Sequence, residues 1–156
     1  MGGADIAAAE RALERLFRLT VNRKVHTKQT AAIGTDVTRA GYAVLRSIDE
    51  AGELSLGELA RQCSMDPAAA GRQVKALEDD GLVEREPGED ARVTVVRLTD
   101  RGCDVYERIV AVRNAHMTDV LSAWTAADRE ALARLVDRLV DDLKAVPFRP
   151  ATGDHR

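Results

Sequence analysis

Apolar residues recur along the chain at two spacings, and the switches between them divide it into elements. Ile6, Ala9, Leu13, Leu16 and Phe17 stand at helical intervals, which predicts a long first helix over residues 5–32. Gly34, followed by Thr35 and Asp36, interrupts it. Thr38 is a good N-cap for a second helix, which carries Tyr42, Val44, Leu45 and Ile48 to a stop at Ala51 and Gly52. Leu54-Ser55-Leu56 suits a short strand, with Ser55 or Gly57 opening the next helix. A short helix from Glu58 to Gln62 then meets a turn at Ser64-Met65-Asp66. The following helix runs from about Pro67 to Asp80 and is closed by Gly81. Two β-rich runs, Leu82 to Glu86 and Val93 to Leu98, flank a polar tip from Pro87 to Arg92. Thr99 caps a long helix through Val105, Tyr106, Ile109 and Met117 towards Trp124. Thr125 with Asp128 is a capping-box variant for a last helix, whose stripe runs Leu132, Leu135, Val136, Leu139, Val140 and Leu143 to Pro147. The end of the chain, 148–156, is expected as a disordered tail.

Helix, turn, helix, hairpin is the order of a winged helix-turn-helix, a DNA-reading module. The expected fold is therefore mainly α with a small β-hairpin wing. Residues 37–98 would form the winged module, flanked by an N-terminal helix within 1–36 and C-terminal helices over 99–147. Continuous apolar stripes on the flanking helices call for a partner surface. A homodimer presenting two reading helices to a pseudo-palindrome answers that need, so both flanking regions are expected in dimerisation.

Composition narrows the class. The chain has 156 residues, 45% of them apolar but only 3% aromatic, so a core must rest on Leu, Val, Ile and Ala. No apolar run approaches the length of a membrane span, and the charged start, MGGADIAAAERALERLF, has no signal-like apolar segment. A cytoplasmic location without membrane contact is expected. Cys63 and Cys103, the two cysteines, show no metal-ligand spacing, and three histidines sit in no catalytic motif. Neither an enzyme, a cofactor nor a metal is expected.

The net charge of −3 is low for a DNA binder, whose affinity leans on phosphate neutralisation. Its distribution matters more. Residues 15–47 hold seven Lys or Arg against Asp36 alone, whereas residues 61–101 hold seven against nine acids. DNA contact must then come from a few placed cations.

GLVEREPGEDARVTVVRLTDRG resembles the wing signature of the MarR (multiple-antibiotic-resistance regulator) family. The matching positions are Gly81-Leu82-Val83, Asp90 with Arg92, Val95-Val96, and Leu98-Thr99 with Gly102. The preceding stretch is similar to that family's helix-turn-helix at Leu59, Ala60, Arg72, Val74 and Leu77, and the likeness covers about residues 10–145. The resemblance implies a homodimeric transcriptional regulator, usually a repressor, with terminal helices that dimerise and wings that reach the minor groove. It also implies release from DNA by a small phenolic or carboxylate ligand. Pro67-Ala68-Ala69-Ala70-Gly71 departs from the family's Ser- and Thr-rich reading helix, which thins direct base readout.

On the second helix of the module, Ala70, Val74 and Leu77 share an inward face, and Ala68, Arg72 and Lys75 an outward one. Arg72 can span a guanine edge or clamp a phosphate, and Lys75 suits phosphate. The plainer role for Arg72 is an ion pair with an acid such as Asp66. Ala68 and Gly71 would let the backbone approach DNA. Arg92 can enter a narrow minor groove from the hairpin tip, with Asp90 holding the loop; the plainer reading of Arg92 is a solvated charge. His26, Tyr42, Arg46, Tyr106, Arg113 and His116 are candidates for an anionic aromatic effector site, against a plain basic face that steers DNA. Two other readings share the fold: a thiol-based peroxide-sensing repressor using Cys63 or Cys103, and a winged-helix protein-interaction module without DNA binding.

Overall fold

The structure, a computed structural model, describes residues 2–21, 23–90 and 92–147; for residues 2, 20, 21 and 23–25 it describes the backbone alone. Among the described residues, helices and strands follow in the order α1 (Gly2–Val21), α2 (Arg23–Ala31), α3 (Arg39–Ala51), β1 (Glu53–Ser55), α4 (Leu56–Gln62), α5 (Pro67–Asp79), β2 (Val83–Pro87), β3 (Thr94–Leu98), α6 (Asp100–Val120) and α7 (Ala126–Ala145). The helix expected over residues 5–32 is described as α1 and α2, on either side of Asn22. Asn22 and the expected tail, 148–156, lie outside the described residues.

Caps decide most boundaries. Thr38 caps α3 by accepting from Gly41 N. Ser55, not Gly57, opens α4 through a reciprocal capping box with Glu58, and so ends β1 one residue earlier than expected. The Ser55 hydroxyl, then its backbone N–H, hold the Glu58 carboxyl below its ordinary range. Thr125 and Asp128 form the same box at α7, with the same effect on Asp128. Helix α6 stops at Val120, short of Trp124.

The three strands form one antiparallel sheet in the order β1-β3-β2. Val83 faces Leu98 and Pro87 faces Thr94 across the hairpin, while Leu54 faces Val96 on the other side of β3. Arg97, on the middle strand, reaches carboxylates on both neighbours, Glu53 of β1 and Glu86 of β2. The core gathers Val44, Leu45 and Ile48 of α3 with Leu59, Val74, Leu77, Leu82, Val96 and Ile109. Each such side chain contributes about 1.5–3 kcal/mol by leaving water.

The junction after the sheet explains the Leu-Thr-x-x-Gly run. Thr99 Oγ1 donates to Gly81 O at 2.7 Å and accepts from Gly102 N at 3.0 Å, while Thr99 N donates to Leu82 O at 3.1 Å. A Cβ at Gly102 would stand 1.9 Å from Leu82 O. Only glycine lets α6 start against that backbone.

The chain divides into two compact units between Asn114 and Ala115, inside α6. All core residues above belong to the first unit, which also contains α1, whose described residues include none that are buried. The second contains the end of α6 and α7. Helix α7 has no buried residue, and Leu135, Val136, Val140 and Leu143 on it are exposed. No helix among the described residues is long and apolar enough to cross a membrane.

Candidate nucleic-acid interface

Helix α5 is built to present one face. Asp66 caps it by accepting from Ala69 N at 2.8 Å, and Pro67 occupies its first turn, where a missing N–H costs nothing. Ala70, Val74 and Leu77 are buried, which leaves Ala68, Arg72 and Lys75 outward. The turn before it places Ser64 at φ 52°, a left-handed conformation that sets the angle between α4 and α5. Arg72 is exposed and, among the described residues, has no carboxylate within ion-pair distance. Asp66, the acid nearest in reasoning, spends its carboxylate on the helix cap instead. Lys75 pairs with Asp79 one turn on, so part of its charge is already engaged. Gly71 is half-buried and faces α4, a Cβ there falling 3.9 Å from Leu56 Cδ2.

The wing carries the second cation. Gly88 N donates to Val93 O and Val93 N to Asp90 O, both at 2.8 Å, closing the tip. A Cβ on Gly88 would meet Val95 Cγ1 at 3.0 Å and Val93 O at 3.2 Å, so the tight tip needs glycine. The Asp90 carboxylate accepts from Arg92 N at 3.0 Å and lies 4.0 Å from Arg92 Nε. The Arg92 side chain is 93% exposed and points free of the hairpin body. At the base of the wing, Arg85 Nε lies 3.3 Å from Glu78 Oε2, tying β2 to α5.

Sequence reasoning passed over Gln73. It lies on the flank of α5 and accepts from Thr38 Oγ1 at 2.9 Å, joining the reading helix to the cap of α3. A helical wheel places Gln73 at neither the inward nor the outward centre, so no periodicity marks it.

Of the six effector candidates, the structure brings four together. Tyr42 and Tyr106 stack at 5.8 Å between ring centroids, His26 lies 6.4 Å from Tyr42, and the Arg113 guanidinium sits 4.6 Å over the Tyr42 ring. Burial, then Tyr42 and Asp49, push the Tyr106 phenol up. Arg46 is spent on Glu50, at 2.7 Å one turn along α3, and that bond raises its pKa further. His116 falls beyond the division in α6, in the second unit. His26 Nε2 lies 2.9 Å from Val37 O, and its Nδ1 is buried with no partner among the described residues. A cleft of about 360 Å³ lies elsewhere, between Ile33, Thr35 and Asp36, Asp80, and Arg101, Asp104 and Arg108, and takes in none of the six.

A capped helix with an unpaired outward arginine, beside a two-stranded wing tipped by another, defines a winged helix-turn-helix protein. Residues 37–94 match the model of the MarR family. The chain is 30% identical over 135 residues, 85% of its length and 81% of the relative's, to the HTH-type transcriptional regulator YdgJ of Bacillus subtilis (strain 168). It belongs to the MarR family of transcriptional regulators. It is also 30% identical over 115 residues to the HTH-type transcriptional repressor IacR of Pseudomonas putida, covering 73% of this chain and 68% of that one. Among solved structures, a MarR family protein from Bacillus stearothermophilus superposes with a TM-score of 0.76 at 22% identity, over 92% of this chain and 99% of that one. A mutant MarR from E. coli complexed with operator DNA superposes with a TM-score of 0.65 at 26% identity, over 82% and 93%.

Proposed function

We propose that the protein is a homodimeric repressor that binds a pseudo-palindromic operator and releases it when a small ligand binds. The observation that carries the DNA reading is the pair of exposed cations, Arg72 on α5 and Arg92 at the wing tip, on elements linked by the Glu78–Arg85 ion pair. Arg72 reads a base edge in the major groove, and Lys75, shared with Asp79, holds a phosphate. Ala68 touches a thymine methyl, and Arg92 enters the minor groove with Asp90 fixing its loop. Gly71, beside Arg72, lets the helix backbone approach the DNA. IacR is named a repressor and a MarR mutant is seen on operator DNA, which supports repression and operator binding here.

Exposed Ile6, Leu16 and Leu19 on α1, and Leu135, Val140 and Leu143 on α7, support dimerisation. The effector is a small aromatic acid held at His26, Tyr42, Tyr106 and Arg113. Arg113, over the Tyr42 ring, supplies the charge. The thiol alternative is disfavoured at Cys103, whose pKa is raised by burial, then by Asp49, Asp100, Glu107 and Asp104. Selecting bound fragments from the host genome tests the reading. Retention of discrete palindromic sites supports it, and no retained site favours the protein-interaction alternative. Adding aromatic acids at about millimolar level to the complex, a range bracketing weak effectors, then tests release. An intact complex throughout removes the effector claim.

A further inference from the structure

Three elements converge on the short segment between α2 and α3. From α2, His26 Nε2 donates to Val37 O at 2.9 Å. From α6, Arg108 Nη2 donates to Ile33 O at 2.6 Å. One residue past Val37, Thr38 Oγ1 accepts from Gly41 N at 2.9 Å and donates to Gln73 Oε1 of the reading helix at 2.9 Å. The approach is close because residue 41 is glycine: a Cβ there would meet Thr38 Oγ1 at 3.3 Å and Leu77 Cδ2 at 3.5 Å.

Proton accounting gives each link a direction. A carbonyl only accepts, so Nε2 of His26 carries the hydrogen, and in the neutral ring Nδ1 is a bare acceptor. That Nδ1 is buried, with no partner among the described residues. The Thr38 hydroxyl has one proton, and it goes to Gln73. Val37 between them is buried, so the segment cannot shift without disturbing the core. The His26 ring, in turn, borders the Tyr42 ring on which Arg113 rests.

We infer that His26, Val37 O, Thr38 and Gln73 form a positioning relay that sets the reading helix against α3 and passes a change at the His26 ring to it. The relay rests on the operator-binding reading above and adds its route of regulation. A change that turns the His26 ring draws Nε2 off Val37 O and loosens the Thr38–Gln73 link. Gln73 and Thr38 act by placing Arg72, without touching DNA themselves.

The test is a double-mutant cycle with His26→Phe, which keeps a ring but loses the donor, and Gln73→Leu, which keeps bulk but loses the acceptor. Dissociation constants are measured for the operator and for a scrambled duplex. Each single variant should lower the preference for operator by about fivefold, the worth of one neutral hydrogen bond, and the double variant by no more than the worse single. Thr38→Ser, which keeps the hydroxyl, should behave as the natural protein. Additive losses overturn the relay, as do equal losses on both duplexes, which a smaller folded fraction would produce. In the DNA-free protein, His26→Phe should also move the side-chain amide resonances of Gln73. Unmoved resonances overturn the relay by themselves. A natural protein that prefers no operator would count against the function proposed above, and the amide shift would still decide the relay.

Discussion

Replacing Arg92 with alanine isolates the wing's electrostatic share. The side chain is 93% exposed at the hairpin tip, and its nearest acid, Asp90, sits 4.0 Å from Nε, so removing it leaves the fold untouched. A contact that neutralises one phosphate steepens the slope of log K against log salt by about 0.9. At about 0.1 M salt that one contact is worth roughly eightfold in affinity, and two wings on one operator roughly sixtyfold, with a slope change near 1.8. The loss must shrink as salt rises: between about 0.05 and 0.2 M it should fall by roughly twelvefold. Fluorescence anisotropy with a labelled operator fragment, repeated across that salt range, reads both quantities. Parallel lines for the two proteins, with Arg92→Ala weaker throughout, would refute the phosphate role. A slope change near 0.9 would show that one wing engages, contradicting a symmetric complex.

Further outcomes follow from other contacts. Arg72→Lys should keep the salt slope but flatten discrimination at one base pair per half-site by about 1–3 kcal/mol, measured by competition with single-substituted operators. Gly102→Ala forces Leu82 O and the new Cβ apart by more than an ångström and strains two Thr99 bonds. Overpacking and those bonds, less the helix propensity gained, give a loss of roughly 2–4 kcal/mol in urea unfolding, and a loss under about 1 would contradict the geometry. Glu58 and Asp128 titrate below their ordinary range, so their caps stabilise fully above it and are lost as pH falls through the lowered values. Helical circular dichroism should therefore decline below about pH 4, and less steeply in Glu58→Gln, Asp128→Asn protein. Cys103 should alkylate more slowly in the folded protein than in urea near pH 8, by peptide mass spectrometry; faster labelling would revive a thiol switch.

Local signals were legible in the chain and distant ones were not. The caps at Thr38 and Thr125, the Gly81 stop and the two hairpin strands depend on residues within a few positions, so spacing reveals them. Arg46 with Glu50 and Lys75 with Asp79 were equally local pairs, four residues apart, and they reduce what either cation can offer a ligand or a phosphate. The reason for Gly102 lies twenty residues back, at the carbonyl of Leu82, where no periodicity points. Thr38 and Gln73 are 35 residues apart and meet only because α3 crosses α5. The DNA face was readable from a helical wheel, whereas the effector cluster loses Arg46 to a neighbour on its own helix.

Helix α7 has twenty residues and none of them is buried, although every turn from Leu132 to Leu143 offers a leucine or valine to something. On the dimer reading, such a segment gains its order by mass action, from a surface that the second copy supplies. Copy number then becomes part of the folding equation. A cell with few copies holds chains whose reading heads are finished but unpaired, and each further copy raises the number of paired chains faster than in proportion. The response of the regulated gene would then sharpen with the regulator's own abundance before any ligand is considered.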